Sequence, residues 1–372
     1  LSTQRKKVAI VLFNLGGPDS LKAVKPFLFN LFYDPLIIRL PNPFRWILAK
    51  YVSIKRAPFT KKIYGALGGK TPLLEETIHQ GEVLKNKLYD LGDVKSFIVM
   101  RYWHPFAKET IKEVIDFDPE ELILLPLYPQ YSTTTTKSSF KDWEKVAKKA
   151  NLKAKVFKVE NYYKSPLFIE AHIEKILPQL KKSIKNGPTQ LLFSAHGLPQ
   201  KIVDSGDPYV DQIHEGAELV AHGLRDVLPG FDFNWTVCFQ SRVGRLEWVK
   251  PYTTNEIRRA GRKKKNIVIV PFAFVSEHSE TLVELDIEYQ ELAMEKGAPN
   301  YERVKTLSVN DTFMQCLAEE IRNRVVPSFM LEEPKTRQVE QSNHEALAEE
   351  IVKNITRKAE KNTNNNSGEN ND

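Results

Sequence analysis

The chain has 372 residues, 41% hydrophobic and 10% aromatic, which is enough to build two packed domains of ordinary size. Its formal charge of +7 suits an anionic partner: nucleic acid, an anionic membrane surface or a small polyacid. Two cysteines, Cys238 and Cys316, far apart and without Cys-x-x-Cys spacing, argue against a disulfide framework and a thiolate zinc site, and no apolar run approaches the ~18 residues that span a bilayer.

The first ten residues, LSTQRKKVAI, lack the apolar core and small-residue cleavage pattern of a signal peptide, so a cytosolic, reducing setting is expected. Residues 8–13 read as a buried strand running into Asn14-Leu15-Gly16-Gly17-Pro18. The glycines permit close backbone approach to a flat ligand, but G-x-G-x-x-G spacing is absent and no nucleotide site is implied. Residues 27–64 are crowded with aromatics and prolines and carry Arg39, Arg45, Lys50, Lys55, Arg56, Lys61 and Lys62 against one acid, Asp34. Such a segment reads either as a lip lying in a membrane interface or as a pair of packed core helices with solvated lysines. A turn at residues 68–72 precedes a helical pattern over 73–91, and strands follow at 97–100 and 122–125. Strands alternating with helices predict an α/β fold with a doubly wound parallel sheet.

After a strand at 154–159 the pattern restarts, with apolar runs at 191–193, 235–239 and 267–270. Phe13 before Asn14 matches Phe193 before Ser194, and residues 122–126 match 267–271. The two offsets differ by about 35 residues, which places an insertion in the first half and identifies the aromatic, basic lip as that addition. The expected organisation is a first α/β domain over residues 1–158 with its lip at about 27–64, a similar second domain over 159–326, a cleft between them, and a polar tail over 327–372. The tail ends in a low-complexity run and is assigned no chemistry.

Two stretches carry chemistry. In residues 191–209, LLFSAHGLPQKIVDSGDPY, a buried strand breaks at Gly197 and Pro199, placing His196 at the carboxyl end of the sheet, where open α/β folds bind ligands. Alone, such a histidine also reads as a hydrogen-bonded structural residue. In residues 271–289, PFAFVSEHSETLVELDIEY, Ser276 or Ser279 is expected to cap a helix whose apolar stripe is Leu282, Leu285 and Tyr289. Glu280, Glu284 and Glu288, four apart, share another face. A carboxylate row is commonly a solvated face, but here it starts on the same sheet edge as His196 and offers hard oxygen ligands that bind a divalent cation without locking it in place.

Ser194-x-His196-Gly197-Leu198-Pro199 followed by Ser205-Gly206-Asp207-x-Tyr209 closely resembles the signature of ferrochelatases, which insert ferrous iron into a porphyrin at the end of haem synthesis. The resemblance runs from about Val8 to Val325 and includes NLGGP, Lys55-Arg56-x-Pro58, Gly69-x-Thr71-Pro72, Arg101-Tyr102, the hydroxyl run 131–138, Gln240-Ser241-Arg242-Val243-Gly244 and Trp248. It implies His196 and Glu280 as the catalytic pair, with Glu284 and Glu288 continuing an acidic metal path. Phe13, Tyr102 and Trp248 offer faces for the macrocycle, with core packing the commoner reading of each; Lys55, Arg56, Thr71 and Ser132 are candidates for its propionates, partly by the resemblance, and Arg101 and His278 stand among the expected substrate-binding residues. Either His196 or Glu280 can take the pyrrole protons or meet the iron. Relatives commonly carry Asp where this chain has Glu277.

The resemblance further implies protoporphyrin IX and Fe2+ as substrates and no required cofactor. No iron-sulfur cluster is expected, since no cysteine follows Cys316. A cytoplasmic chain associated peripherally with the inner membrane through the lip, and compatible with a homodimer, is expected. The competing readings are a chelatase for cobalt or coproporphyrin and a non-catalytic tetrapyrrole carrier. A serine hydrolase is disfavoured because Ser194 lies in no Gly-x-Ser-x-Gly elbow. Nucleic-acid binding rests on charge alone and is not expected.

Overall fold

The computed structural model describes residues 5–325, apart from Asp232 and Arg245, so the expected tail at 327–372 lies outside the described residues. In chain order the first half comprises β1 (Lys7–Asn14), α1 (Val24–Tyr33), α2 (Phe44–Ala66), α3 (Leu73–Lys87), β2 (Asp93–Met100), α4 (Ala107–Phe117), β3 (Glu121–Pro126), α5 (Thr136–Lys149) and β4 (Lys155–Lys158). Then follow α6 (Pro166–Lys185), β5 (Thr189–His196), α7 (Gln200–Asp204), α8 (Tyr209–Val227), β6 (Asn234–Gln240), α9 (Thr253–Arg262) and β7 (Asn266–Pro271). A π-helical segment (Glu280–Glu288), α10 (Tyr289–Glu295), β8 (Tyr301–Arg303) and α11 (Asp311–Val325) complete the described chain.

Each half builds a four-stranded, all-parallel sheet, in the orders β2-β1-β3-β4 and β6-β5-β7-β8. The connectivity of the second repeats that of the first, as the matching strand sequences predict. The match slips by one residue in register. Phe13 pairs with Pro126, whereas Phe193 pairs with Val270 and Pro271 with Ser194. β3 and β7 are buried along their whole length, the pattern of central parallel strands covered on both faces, and their Val, Ile and Leu content follows from that.

The inner faces of both sheets share one core. Ile10 and Leu12 of β1, Ile123 and Leu125 of β3, Phe193 of β5 and Val270 of β7 belong to a single buried cluster, which Phe168 and Ile173 of α6 and Phe313 and Leu317 of α11 complete. The outer faces have separate cores: Phe13, Phe140 and Trp143 on the first sheet, and Leu192, Ile257 and Leu285 on the second.

The expected insertion lies between β1 and β2, where α1 and α2 pack together through Val24, Phe27, Leu28, Ala57 and Tyr64. The packed helix pair is what the structure shows, with one face left apolar and open. One face is a helix pair with its own small core; the other leaves Phe44, Ile47, Tyr51 and Phe59 more than half exposed. Among the described residues, no helix is long and apolar enough to cross a membrane.

Candidate active site

β5, β6 and β7 end side by side, and the parallel register sets His196 opposite Gln240. Gly197 donates its N–H to the Gln240 carbonyl at 2.9 Å. A Cβ on Gly197 would lie 3.0 Å from that carbonyl oxygen and 3.2 Å from Trp248 Cε3, so the missing side chain lets Trp248 close against the end of the strand. The Trp248 indole N–H is itself held by Val243 O at 3.0 Å. The Tyr209 hydroxyl donates to the His196 carbonyl at 3.0 Å, which explains why the motif that begins at the strand carries a tyrosine thirteen residues on.

His196 Nδ1 stands 2.9 Å from Glu280 Oε2, with 38% of the histidine side chain and 28% of the glutamate side chain still exposed. The expected capped α-helix is not what presents this carboxylate. Ser276 donates instead to Gln80 Oε1 at 3.0 Å and Ser279 to Tyr64 Oη at 3.2 Å, and the chain winds as a π-helix from Glu280. Ser241, at the end of β6, has a left-handed backbone with φ of 63°, a conformation uncommon for a side-chain-bearing residue and recurrent at functional sites. Its hydroxyl lies 3.2 Å from Glu280 Oε2 and 2.6 Å from Glu284 Oε2, which brings the two acids to one point. Tyr289 donates to Glu284 Oε1 at 2.6 Å and Gln240 Nε2 to Glu284 Oε2 at 3.3 Å. Ser241, Gln240 and Tyr289 were not singled out from the sequence as site residues. The adjacency of β6 to β5 at the carboxyl edge is the signal that finds them.

The electrostatics follow from this crowding. Burial works to lower the His196 pKa, but the Glu280 carboxylate, with Glu284 behind it, outweighs burial and raises it. Burial likewise opposes ionisation of Glu280, and the neighbouring His196 reverses the sign and holds it below the usual carboxylate range. Glu284 goes up, because it is buried and because Glu280 already carries a charge beside it. His278, its ring 4.4 Å from that of Phe274, is pushed down by burial, and both ring nitrogens are buried with no hydrogen-bond partner.

The other sequence-derived candidates divide. Arg56, on α2 of the first half, is partly buried, which lowers its pKa, and it feels the Glu280 charge. Its neighbour Lys55 is exposed and lies over the Tyr51 ring at 5.8 Å. Glu288 is exposed on the next turn and does not join Glu280 and Glu284. Among the described residues, no three His, Cys, Asp or Glu side chains close into a cation cage.

Phe13 and Tyr102 are each only 1% exposed and are not brought to His196: Phe13 packs edge-on to Phe140 and Trp143, and Tyr102 donates to Asp34 Oδ2 at 3.0 Å. Arg101 pairs with the same Asp34 oxygen at 2.9 Å. Thr71 is buried against Gly17, its hydroxyl accepting from Leu73 N at 3.3 Å. Ser132 is buried and donates to Asp207 Oδ2 at 3.0 Å, where Thr133 N also binds at 2.7 Å, so the hydroxyl run of the first half is joined to the second. Ser194 is buried between Gln240 Oε1 at 2.6 Å and Thr253 Oγ1 at 3.0 Å, away from any role as a nucleophile with His196. Glu277 faces Arg303 at 2.7 Å rather than the glutamate pair.

The family profile described as Ferrochelatase matches residues 7–325. A ferrochelatase from Wolbachia sp. subsp. Drosophila simulans is 50% identical over 315 residues, covering 84% of this chain and 98% of its own, and one from Rickettsia bellii is 50% identical over 319 residues, covering 85% and 87%. Among solved structures, the sirohydrochlorin chelatase SirB from Bacillus subtilis subspecies spizizenii in complex with cobalt matches with a TM-score of 0.47 at 10% identity, over 86% of this chain and 94% of that one. With a family match across nearly all the described residues and relatives at half identity over almost their full length, the chain belongs to the ferrochelatase family.

Proposed function

We propose that the chain inserts ferrous iron into protoporphyrin IX, with His196 taking the pyrrole protons and Glu280 and Glu284 handling the metal. The observation that carries this reading is the 2.9 Å contact between His196 Nδ1 and Glu280 Oε2. An Nδ1–H donated to that carboxylate leaves the Nε2 lone pair free on a side chain that is 38% exposed. Metallation removes two N–H protons while a dication takes their place. Each proton leaves through Nε2 to solvent, and the ionised Glu280 stabilises the imidazolium formed in between. Glu284, which gives up its proton less readily, becomes a ligand as the metal arrives; weak oxygen ligation suits an ion that must be handed on. Arg56 supplies the positive charge from the facing half that a propionate-bearing substrate requires. His278 and Trp248 bound the ring.

The exposed aromatics of α2 and its basic residues support a lip resting on an anionic membrane surface, with the substrate passing between lipid and site. Association is peripheral on this reading, the chain acts from the cytoplasmic side, and pairing with a second copy is compatible with it. No cofactor is required.

The test is the initial rate of metal insertion, followed as the change in porphyrin absorption, for iron and cobalt with protoporphyrin and coproporphyrin. The expected result is fastest turnover with iron and protoporphyrin. Ring binding with no metal-dependent spectral change marks a tetrapyrrole carrier and contradicts the proposal. A preference for coproporphyrin or cobalt moves the substrate assignment to the other chelatase readings.

A further inference from the structure

The mechanism leaves one buried, highly connected group without a task. Arg303, at the end of β8, is 8% exposed in its side chain. Its Nε and Nη2 form a fork on Asp286, meeting Oδ1 and Oδ2 at 2.6 Å each, and its Nη1 binds Glu277 Oε1 at 2.7 Å. Thr306 N donates to the same Glu277 oxygen at 3.0 Å. Two residues before Arg303, the Tyr301 hydroxyl donates to the backbone carbonyl of Leu285 at 2.6 Å.

These contacts bracket the site without touching it. Glu277 lies just ahead of the π-helical segment and Asp286 lies within it, with Glu280 and Glu284 between them. A π-helix bonds residues five apart, is rare, and occurs mostly as single-turn bulges, so a nine-residue run needs support from outside its own backbone. Rewinding it as an α-helix would rotate Asp286 relative to Glu277. One planar guanidinium bound at both points opposes that rotation, and the Tyr301 hydroxyl occupies a carbonyl in the middle of the run. A buried ion pair adds little net stability over apolar side chains of the same volume; what it supplies here is a fixed distance. The longer Glu277 side chain reaches this arginine.

We propose that Arg303, assisted by Tyr301, is a positioning residue for metal insertion: it holds the π winding that sets Glu284 beside Glu280 and Ser241. The inference rests on the reading of these glutamates as the metal-handling pair. Outer residues that orient metal ligands typically change metal affinity or activity by about 10- to 100-fold when removed.

The full chain is assayed for zinc insertion into protoporphyrin, as wild type, Arg303→Gln, Arg303→Lys and Tyr301→Phe, with KM for zinc and for porphyrin measured separately and thermal unfolding followed alongside. Arg303→Gln is expected to raise the zinc KM about 10-fold and lower kcat, with the porphyrin KM within twofold of wild type. Arg303→Lys keeps the charge without the fork; it is expected to recover unfolding temperature more than zinc KM. Tyr301→Phe is expected to shift zinc KM in the same direction by a smaller factor, and with Arg303→Lys it carries the test if Arg303→Gln does not fold. A lower unfolding temperature with wild-type zinc KM and kcat in Arg303→Lys and Tyr301→Phe would mean a purely structural arginine and overturn the proposal. Wild type that inserts no zinc or iron removes the underlying reading instead, so the two failures are distinguishable.

Discussion

Tyr64 and Ser279 meet at 3.2 Å across the two halves, the first on the inserted helix α2 and the second immediately before Glu280. The Tyr64 phenol is buried, and burial, with Glu280 nearby, pushes its pKa up to about 12, so it stays neutral. The lip and the segment that carries Glu280, proposed above to handle the metal, are therefore physically joined. Replacing Tyr64 with Phe removes one hydrogen bond worth about 1 kcal/mol and frees the segment before Glu280. The expected outcome is a small loss in unfolding free energy and a several-fold fall in kcat, read from denaturant titration and steady-state insertion rates. Unchanged kcat with the stability loss would show that the contact serves the fold only.

The pH dependence has a definite sign. His196 must be neutral to accept a proton, and the Glu280 carboxylate raises its pKa above 6.5 against the opposing effect of burial. The rising limb of kcat/KM thus lies above that value, and Glu280→Gln moves what activity remains to a lower-pH limb. For stability, the raised histidine contributes fully below 6.5 and loses its contribution as pH rises through the folded value. The depressed glutamate contributes above 4.5 and loses its contribution as pH falls through its folded value. The pair is most stabilising between those two pH values. Unfolding free energies of wild type and His196→Gln at pH 5.5 and 8.5 check this: their difference is expected to shrink at the higher pH.

Asp34, at the end of α1, is 3% exposed and accepts from Arg101, Tyr102 and Ser138 through one oxygen and from Leu36 N through the other. It fixes the start of the lip loop to the first sheet. Asp34→Asn leaves the largely buried Arg101 with the longer contact to Asp142 for a charge partner, at a cost of about 3–5 kcal/mol. The check is chemical denaturation. A loss under about 1 kcal/mol would mean that Arg101 finds Asp142, 3.8 Å away, as a substitute.

The lip carries its own prediction. Trp46 and Ile47 are 43% and 56% exposed, and Lys50 stands over the Trp46 ring at 4.6 Å. Burying two such side chains in lipid is worth about 1.5–3 kcal/mol each, so a Trp46→Ser, Ile47→Ser double variant is expected to weaken binding to anionic vesicles by at least about tenfold while leaving metal insertion into detergent-dispersed porphyrin unchanged. Flotation with vesicles of anionic and neutral lipid measures it. Equal binding of both proteins would assign the exposed face to something other than a bilayer.

Much of this was legible in the letters because buried parallel strands write themselves as short apolar runs. Residues 122–125 and 267–270 announced β3 and β7, and the polar residues after each run marked the carboxyl edge of the sheet. That His196 and Glu280 meet at one sheet edge was legible for the same reason, while their roles came from the resemblance. The winding after Glu280 was not: four-residue spacing of Glu280, Glu284 and Glu288 fits an α-helix, and the donors that favour the π form, Tyr301 and Arg303, come from a strand with only three residues. Phe13 near the end of β1, Thr71 after a turn and Tyr102 after β2 are all buried: α5 covers Phe13, α1 and α2 cover Tyr102, and Thr71 packs on Gly17, which no local pattern records. Ser241 was visible only as part of a resemblance. Its left-handed backbone and its place between two carboxylates are properties of the sheet order.

The central claim is that His196 accepts the porphyrin's protons, and His196→Ala tests it most directly. Porphyrin binding is measured by fluorescence, and metal insertion by absorption, on the same preparation at neutral pH. Removing a positioned general base costs about 10²- to 10⁴-fold, so insertion is expected to fall to that extent while porphyrin affinity stays within a few-fold of wild type. Turnover at the wild-type rate in a folded His196→Ala protein would contradict the account.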